Sequence, residues 1–198
     1  MAQREEILEE DQYRAHFYRL LSRLLVRAPD QDLLTQLSTL NGDDTAIGRA
    51  LDALAAAARS ATPDTTTDEY QNLFIGIGRG ELVPFASYYL TGFLNEKPLA
   101  RLRQDMATHG VARADGVSEP EDHIASVCEM MAGFILGDFD APMPLARQSE
   151  FFDRHIGNWA GRFFEDLENA KSADFYKAVG ALGRAFLEIE TTAFQMAA

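Results

Sequence analysis

The sequence predicts an all-α fold, a single globular multi-helix domain of about nine helices. Three observations carry this reading. Apolar residues recur three and four positions apart through most of the chain, as amphipathic helices require. No stretch alternates apolar and polar residues in the manner of a half-buried strand. Proline, glycine and Asn-Gly breaks fall between the periodic runs at helix-sized intervals. With 198 residues, 46% of them hydrophobic, the chain can bury a substantial core.

The first helix is expected over residues 4–27, with Tyr13, Phe17, Leu20, Leu21, Leu24 and Leu25 as its apolar stripe. Glu5, Glu6, Glu9, Glu10 and Asp11 crowd its start, where the helix dipole favours negative charge. Leu33, Leu34, Leu37 and Leu40 mark a second helix, stopped by Asn41-Gly42. A third runs over about 45–60 and ends in an alanine-rich segment that favours helix and close approach. Thr62-Pro63-Asp64 breaks the pattern before a fourth helix through Glu69 to Phe74. The Gly76–Gly80 loop follows, and Pro84 opens an element with Phe85, Tyr88, Tyr89, Leu90, Phe93 and Leu94 at helical spacing. Pro98 starts a helix that ends at His109-Gly110. A polar connection, Arg113 to Gly116, then offers a boundary between an N-terminal lobe of about 1–112 and a C-terminal lobe of about 118–198. Beyond it the pattern predicts a helix over 119–136, one of some twenty residues through Phe152, Ile156, Trp159, Phe163 and Leu167, and a last one from Phe175.

The formal net charge of −13 excludes a sequence-independent nucleic-acid binder, which needs a basic surface, and favours basic partners. No run approaches the ~20 apolar residues of a membrane span, and Met1–Glu10 lacks the apolar core of a signal peptide. The expected location is cytoplasmic. The lone cysteine, Cys128, rules out an internal disulfide and lies on an apolar face, so an inert buried thiol is expected.

The densest cluster of ionisable groups outside the N-terminus is Ser118-Glu119-Pro120-Glu121-Asp122-His123. Ser118 and Glu121 have capping-box spacing, and proline suits a first helical turn, so the helix is expected to open here. The plain interpretation is a helix start stabilised by acids, with His123 as a hydrogen-bonding flank. Yet three carboxylates exceed what a cap needs, and their repulsion calls for a cation, best an arginine, from this chain or another protein. An Asp122–His123 acid–base dyad is disfavoured because adjacent helical residues diverge by about 100°. No His pair or Cys cluster has metal-ligand spacing, and no nucleophile elbow occurs, so no catalytic residue, metal or cofactor is expected. Gly76, Gly78 and Gly80 lack the lysine of a phosphate loop and follow a helix, not a strand. Phe74, Phe85, Tyr88 and Tyr89 are either core or the lining of a groove for an apolar peptide.

Glu119-Pro120-Glu121-Asp122-His123 resembles the E-P-x-D-H signature of the TorD/DmsD family of molybdoenzyme maturation chaperones. Tyr70 to Gly76, then Pro84-Phe85-Ala86-Ser87-Tyr88-Tyr89-Leu90, resembles the family's other stretch, and Tyr18 to Leu25 fits its first helix. The resemblance spans most of the chain from residue 13. It implies that residues 1–198 form a non-enzymatic, all-helical cytoplasmic chaperone. Its client would be the catalytic subunit of a molybdopterin-dependent oxidoreductase of the dimethyl sulfoxide, trimethylamine N-oxide reductase or formate dehydrogenase type. The chaperone would bind that subunit's basic leader or N-terminal region and hold it competent for cofactor insertion before export or assembly. The resemblance carries over Asp122 and His123 as leader-binding positions and Phe85, Ser87 and Tyr89 as pocket positions; Glu119, Glu121 and Phe74, read from the acidic cluster and the ring set, complete the expected client-peptide-binding residues. Asp115, Gly116, Glu119 and Pro120 correspond to a hinge that lets some relatives form domain-swapped homodimers. Ile77 and Gly78 depart from the family pattern, where Gly-Pro and a further aromatic are common. The alternative function is a weak GTP-binding regulatory protein using the Gly76–Gly80 loop.

Overall fold

The computed structural model describes residues 7–113, 116 and 119–197. Among them the chain forms ten α-helices and one π-helical turn, with no strand. The helices are α1 (Glu9–Val26), α2 (Gln31–Ser38), α3 (Ala46–Ser60), α4 (Pro63–Tyr70), α5 (Ala86–Thr91), α6 (Lys97–Thr108), α7 (Ile124–Leu136), α8 (Leu145–His155), α9 (Ala160–Asn169) and α10 (Phe175–Ala197). The all-α expectation holds. Asp115 and Ser118, expected in the hinge and in a capping box, lie outside the described residues.

Local chemistry sets the boundaries. Asp30 and Thr45 cap α2 and α3 by accepting the backbone N–H groups of Leu33 and Gly48. Thr62 and Thr65 cap α4 reciprocally, with Pro63 in the first turn. α4 continues into the π-helical turn Gln71–Ile75. The chain leaves this turn at Gly76, whose φ of 61° suits glycine. No helix is long and apolar enough to cross a membrane among the described residues.

Two expected elements differ. The helix expected over 119–136 begins only at Ile124, because His123 is extended (φ −63°, ψ 140°) and serves as the N-cap. The single helix expected through Phe152 and Leu167 is two, since the chain leaves helical geometry at Ile156 (φ −126°, ψ −60°). A β-carbon on Gly157 would stand 2.7 Å from the Phe152 ring, so the turn there needs a glycine-sized residue.

The chain divides into two compact units. The first takes residues 1–22, 85–159 and 197–198; the second takes 23–84 and 160–196. The 113–120 connection falls within the 85–159 stretch, so each unit draws residues from both sides of it. In the first unit, α7 is buried over nearly its whole circumference, with Ile124, Val127, Cys128, Met131 and Ile135 all within the core. Burial pushes the Cys128 thiol well above its ordinary range, as an inert thiol requires.

In the second unit, α2 packs on α3 and α9 on α10. The α9–α10 approach is set by glycine: a β-carbon on Gly180 would lie 2.6 Å from the Glu168 backbone nitrogen and 2.8 Å from the Phe164 carbonyl oxygen. Backbone cannot rotate away as a side chain can. Gly180→Ala gains about 1 kcal/mol of helix propensity, but overpacking costs roughly 1–3 kcal/mol. Net destabilisation of up to about 2 kcal/mol is therefore expected in urea unfolding. A more stable variant would show that the helices separate freely.

Candidate functional site

The start of α5 and the Pro120–His123 turn meet in the first unit. Phe85 and His123 form an isolated antiparallel bridge. The Ala86 N–H donates to the Asp122 carbonyl oxygen at 3.0 Å, and the Ser87 N–H donates to Asp122 Oδ2 at 2.7 Å. These are the first two amides of a six-residue helix with no side-chain cap on its own N-terminal residue. Asp122 therefore supplies from another segment what a local cap normally provides.

Burial decides what these groups can do. Asp122 is 1% exposed and His123 4% exposed. His123 Nδ1 accepts the Ala125 N–H at 3.1 Å, and its ring meets Phe85 edge to face at 5.0 Å. Desolvation pushes the imidazole down to about 4, so it is neutral at pH 7. Asp122 and His123 face different partners, and no acid–base dyad forms between them.

Glu121 finds the cation that the acidic cluster calls for. Arg103 Nε and Nη2 lie 2.9 and 2.8 Å from Glu121 Oε2, and Arg113 Nη1 lies 3.7 Å from Oε1. Burial works to raise this carboxyl, but the Arg103 hydrogen bond and the two guanidinium charges outweigh it and hold it below its usual range. The acidity demands a cation, but no spacing in the sequence singles out Arg103 or Arg113. Glu119 is exposed, and Pro120 accepts the His123 N–H to close the turn.

Phe85 and Tyr89 are half-buried, and Tyr89 stacks at 5.5 Å on Trp159. Leu90, Phe93 and Leu94, beyond Tyr89, are exposed. Phe74 belongs to the second unit, where its ring packs on Tyr70 and Tyr176. In the Gly76–Gly80 loop, the Gly76 N–H is spent on the Gln71 carbonyl at 2.7 Å, and no helix opens until Ala86. No group of three or more His, Cys, Asp or Glu residues could hold a metal among the described residues.

Among the described residues, two buried side-chain atoms stand without a hydrogen-bond partner, Ser87 Oγ and Asp122 Oδ1. An unsatisfied buried hydroxyl costs about 1–3 kcal/mol. Ser87→Ala is therefore expected to leave thermal stability unchanged or raise it. A drop of several degrees in Tm would mean that the hydroxyl has a role in holding α5.

Residues 40–165 match the family model described as nitrate reductase delta subunit. The chain belongs to this family. The match covers both motif stretches that meet at α5, 84–90 and 119–123. The chaperone protein TorD of Vibrio cholerae serotype O1 (strain ATCC 39541) is 30% identical over 127 residues, covering 61% of this chain and 58% of that protein. TorD of Vibrio atlanticus is 24% identical over 91% of this chain and 94% of its own length. A Haemophilus influenzae protein named as a DmsD Tat proofreading chaperone is 32% identical over 118 residues, 59% of this chain and 55% of that protein. The backbone also matches the crystal structure of a candidate redox enzyme maturation protein from Archaeoglobus fulgidus, with a TM-score of 0.59 at 23% identity over 93% of this chain and 99% of that one. That likeness concerns the fold alone. The delta-subunit family relatives compared in sequence carry chaperone names and not enzyme names.

Proposed function

We propose that the chain is a maturation chaperone for a molybdopterin-dependent oxidoreductase. It acts in the cytoplasm on the basic leader or N-terminal segment of the apo catalytic subunit, keeping that subunit open for cofactor insertion before export or assembly. The observation that carries this reading is the meeting of two motif stretches whose paired residues lie 35 or more positions apart: 84–90 and 119–123 join through the Phe85–His123 bridge and the Asp122 contacts to α5.

The surface around that junction has suitable chemistry. Glu119 is exposed and acidic, while Phe85, Tyr88 and Tyr89 are half-exposed rings and Leu90 is exposed. A client segment with arginines followed by apolar residues complements both features. The net charge of −13 steers such a segment toward the chain. The Tat proofreading name of the Haemophilus relative fits a twin-arginine leader as that segment.

Recovery of the tagged chain from its own host tests the reading. A molybdoenzyme catalytic subunit is expected to co-purify, and deletion of its N-terminal segment should abolish recovery. Capture that is indifferent to that deletion would count against leader binding. Consistent absence of any molybdoenzyme subunit would overturn the proposal.

A further inference from the structure

We propose that Asp122 and His123 are positioning residues, which hold the start of α5 against the start of α7 and do not themselves touch the client. The inference rests on the reading that a client peptide docks where the two motif stretches meet. It divides that site into buried members that set geometry and exposed members that make contact.

α5 is six residues long. So short a helix has little stability of its own, because nucleation fixes several residues for few hydrogen bonds. Its first amides depend on Asp122: the carbonyl oxygen takes Ala86 N–H and Oδ2 takes Ser87 N–H. His123 continues the same junction in the other direction. Its backbone pairs with Phe85, Nδ1 caps Ala125, and its carbonyl oxygen accepts the Val127 N–H at 3.1 Å. One dipeptide thus sets the origin of two helices.

Exposure separates the two roles. At 1% and 4% exposure, Asp122 and His123 offer a peptide no surface. Asp122 Oδ1, although unpartnered, is enclosed beside Ser87, itself fully buried. A guanidinium could reach that oxygen only by separating α5 from the 120–123 turn, which would break the hydrogen bonds that form the site. Glu119, Tyr88, Tyr89 and Leu90 can be reached without any such opening. Side chains on α5 therefore sit where Asp122 and His123 place them, and loss of either residue should act on the client through α5.

Calorimetry on the full chain discriminates, using a synthetic peptide of two consecutive arginines followed by a Leu-Ala stretch as probe. Asp122→Asn removes the charge but keeps an oxygen that can accept the Ser87 N–H. Its affinity is expected within about twofold of the parent, because a hydrogen-bond acceptor of the same shape remains. The salt dependence of binding should also match the parent's, since no charge pair with the peptide has been lost. Asp122→Ala should weaken binding by about tenfold or more, from loss of an acceptor for a buried donor. Its salt dependence should likewise be unchanged. Should Asp122→Ala fail to fold, Asp122→Asn still carries the test, together with His123→Asn, which keeps an N-cap acceptor and should also bind as the parent does. An Asp122→Asn variant that loses about tenfold in affinity and shows a shallower salt dependence would make Asp122 a direct arginine contact, overturning this inference alone. A parent that does not bind the probe overturns the docking reading and this inference with it.

Discussion

Glu69→Ala is expected to lower the stability of the fold by about 3–5 kcal/mol, the cost of leaving several buried donors without their acceptors. Glu69 is 9% exposed and sits near the end of α4. Its Oε1 accepts the N–H groups of Asp174 at 2.8 Å and Tyr176 at 2.7 Å, and its Oε2 accepts that of Phe175 at 3.1 Å. A helix N-terminus leaves such amides without intrahelical partners and carries partial positive charge. Here one carboxylate, more than a hundred residues away in sequence, caps the 23-residue α10. A cavity of about 350 Å³ lined in part by Thr65, Asn72, Ser172 and Asp174 adjoins it. Water entering there can recover some of the lost bonding, which keeps the expected cost below the sum of the separate bonds. Glu69→Gln keeps one oxygen and turns an NH₂ toward donors, so an intermediate loss is expected. Urea unfolding at constant m-value is the measurement. A Glu69→Ala loss under 1 kcal/mol would show that α10 does not depend on this cap.

Helix punctuation was legible wherever a cap is local. Thr45 and the Thr62-Pro63 pair begin α3 and α4 as their side-chain chemistry dictates. It was misleading where tertiary contacts override it. Proline and glutamate at 120 and 121 look like a first turn, yet Glu121 is drawn to Arg103 and the helix waits for His123. The spacing of Phe152, Ile156, Trp159, Phe163 and Leu167 runs unbroken past the break at Ile156 because all five residues are buried. Periodicity records burial and is blind to a bend that preserves it. The need of the acidic cluster for a cation was a matter of charge alone and could be read directly. Its identity, Arg103 and Arg113, depends on which helix lies alongside. The long-range caps by Asp122 and Glu69 leave no local signature, since donor and acceptor lie 35 and more than 100 residues apart. His123 shows the same limit. Its neighbours in the sequence are three carboxylates and say nothing of its burial, and burial makes it neutral.

That neutral state makes stability dependent on pH in a direction that can be worked out. His123 in the folded chain titrates at about 4, against an ordinary value of 6.5, because burial disfavours the imidazolium. Between these values the unfolded chain binds a proton that the folded chain refuses, so folding stability rises with pH across the window. The contribution is intact above pH 6.5. It is drawn down as pH falls toward 4, by about 3 kcal/mol in all, and changes no further once both states are protonated. His123→Asn removes the titration while keeping an N-cap acceptor at the start of α7. Loss of the ring's packing against Phe85 lowers the variant's stability by an amount that does not vary with pH. His155, also depressed chiefly by burial, titrates in both proteins and drops out of the difference. The stability difference between parent and variant, from urea unfolding at pH 7, 5.5 and 4, should therefore shrink or reverse by about 3 kcal/mol on acidification. Parallel curves would mean that His123 accepts a proton in the folded state as readily as in the unfolded one. In that case losing the Nδ1 acceptor on protonation would cost the fold nothing, so the bond from the Ala125 N–H would contribute no net stability to the start of α7.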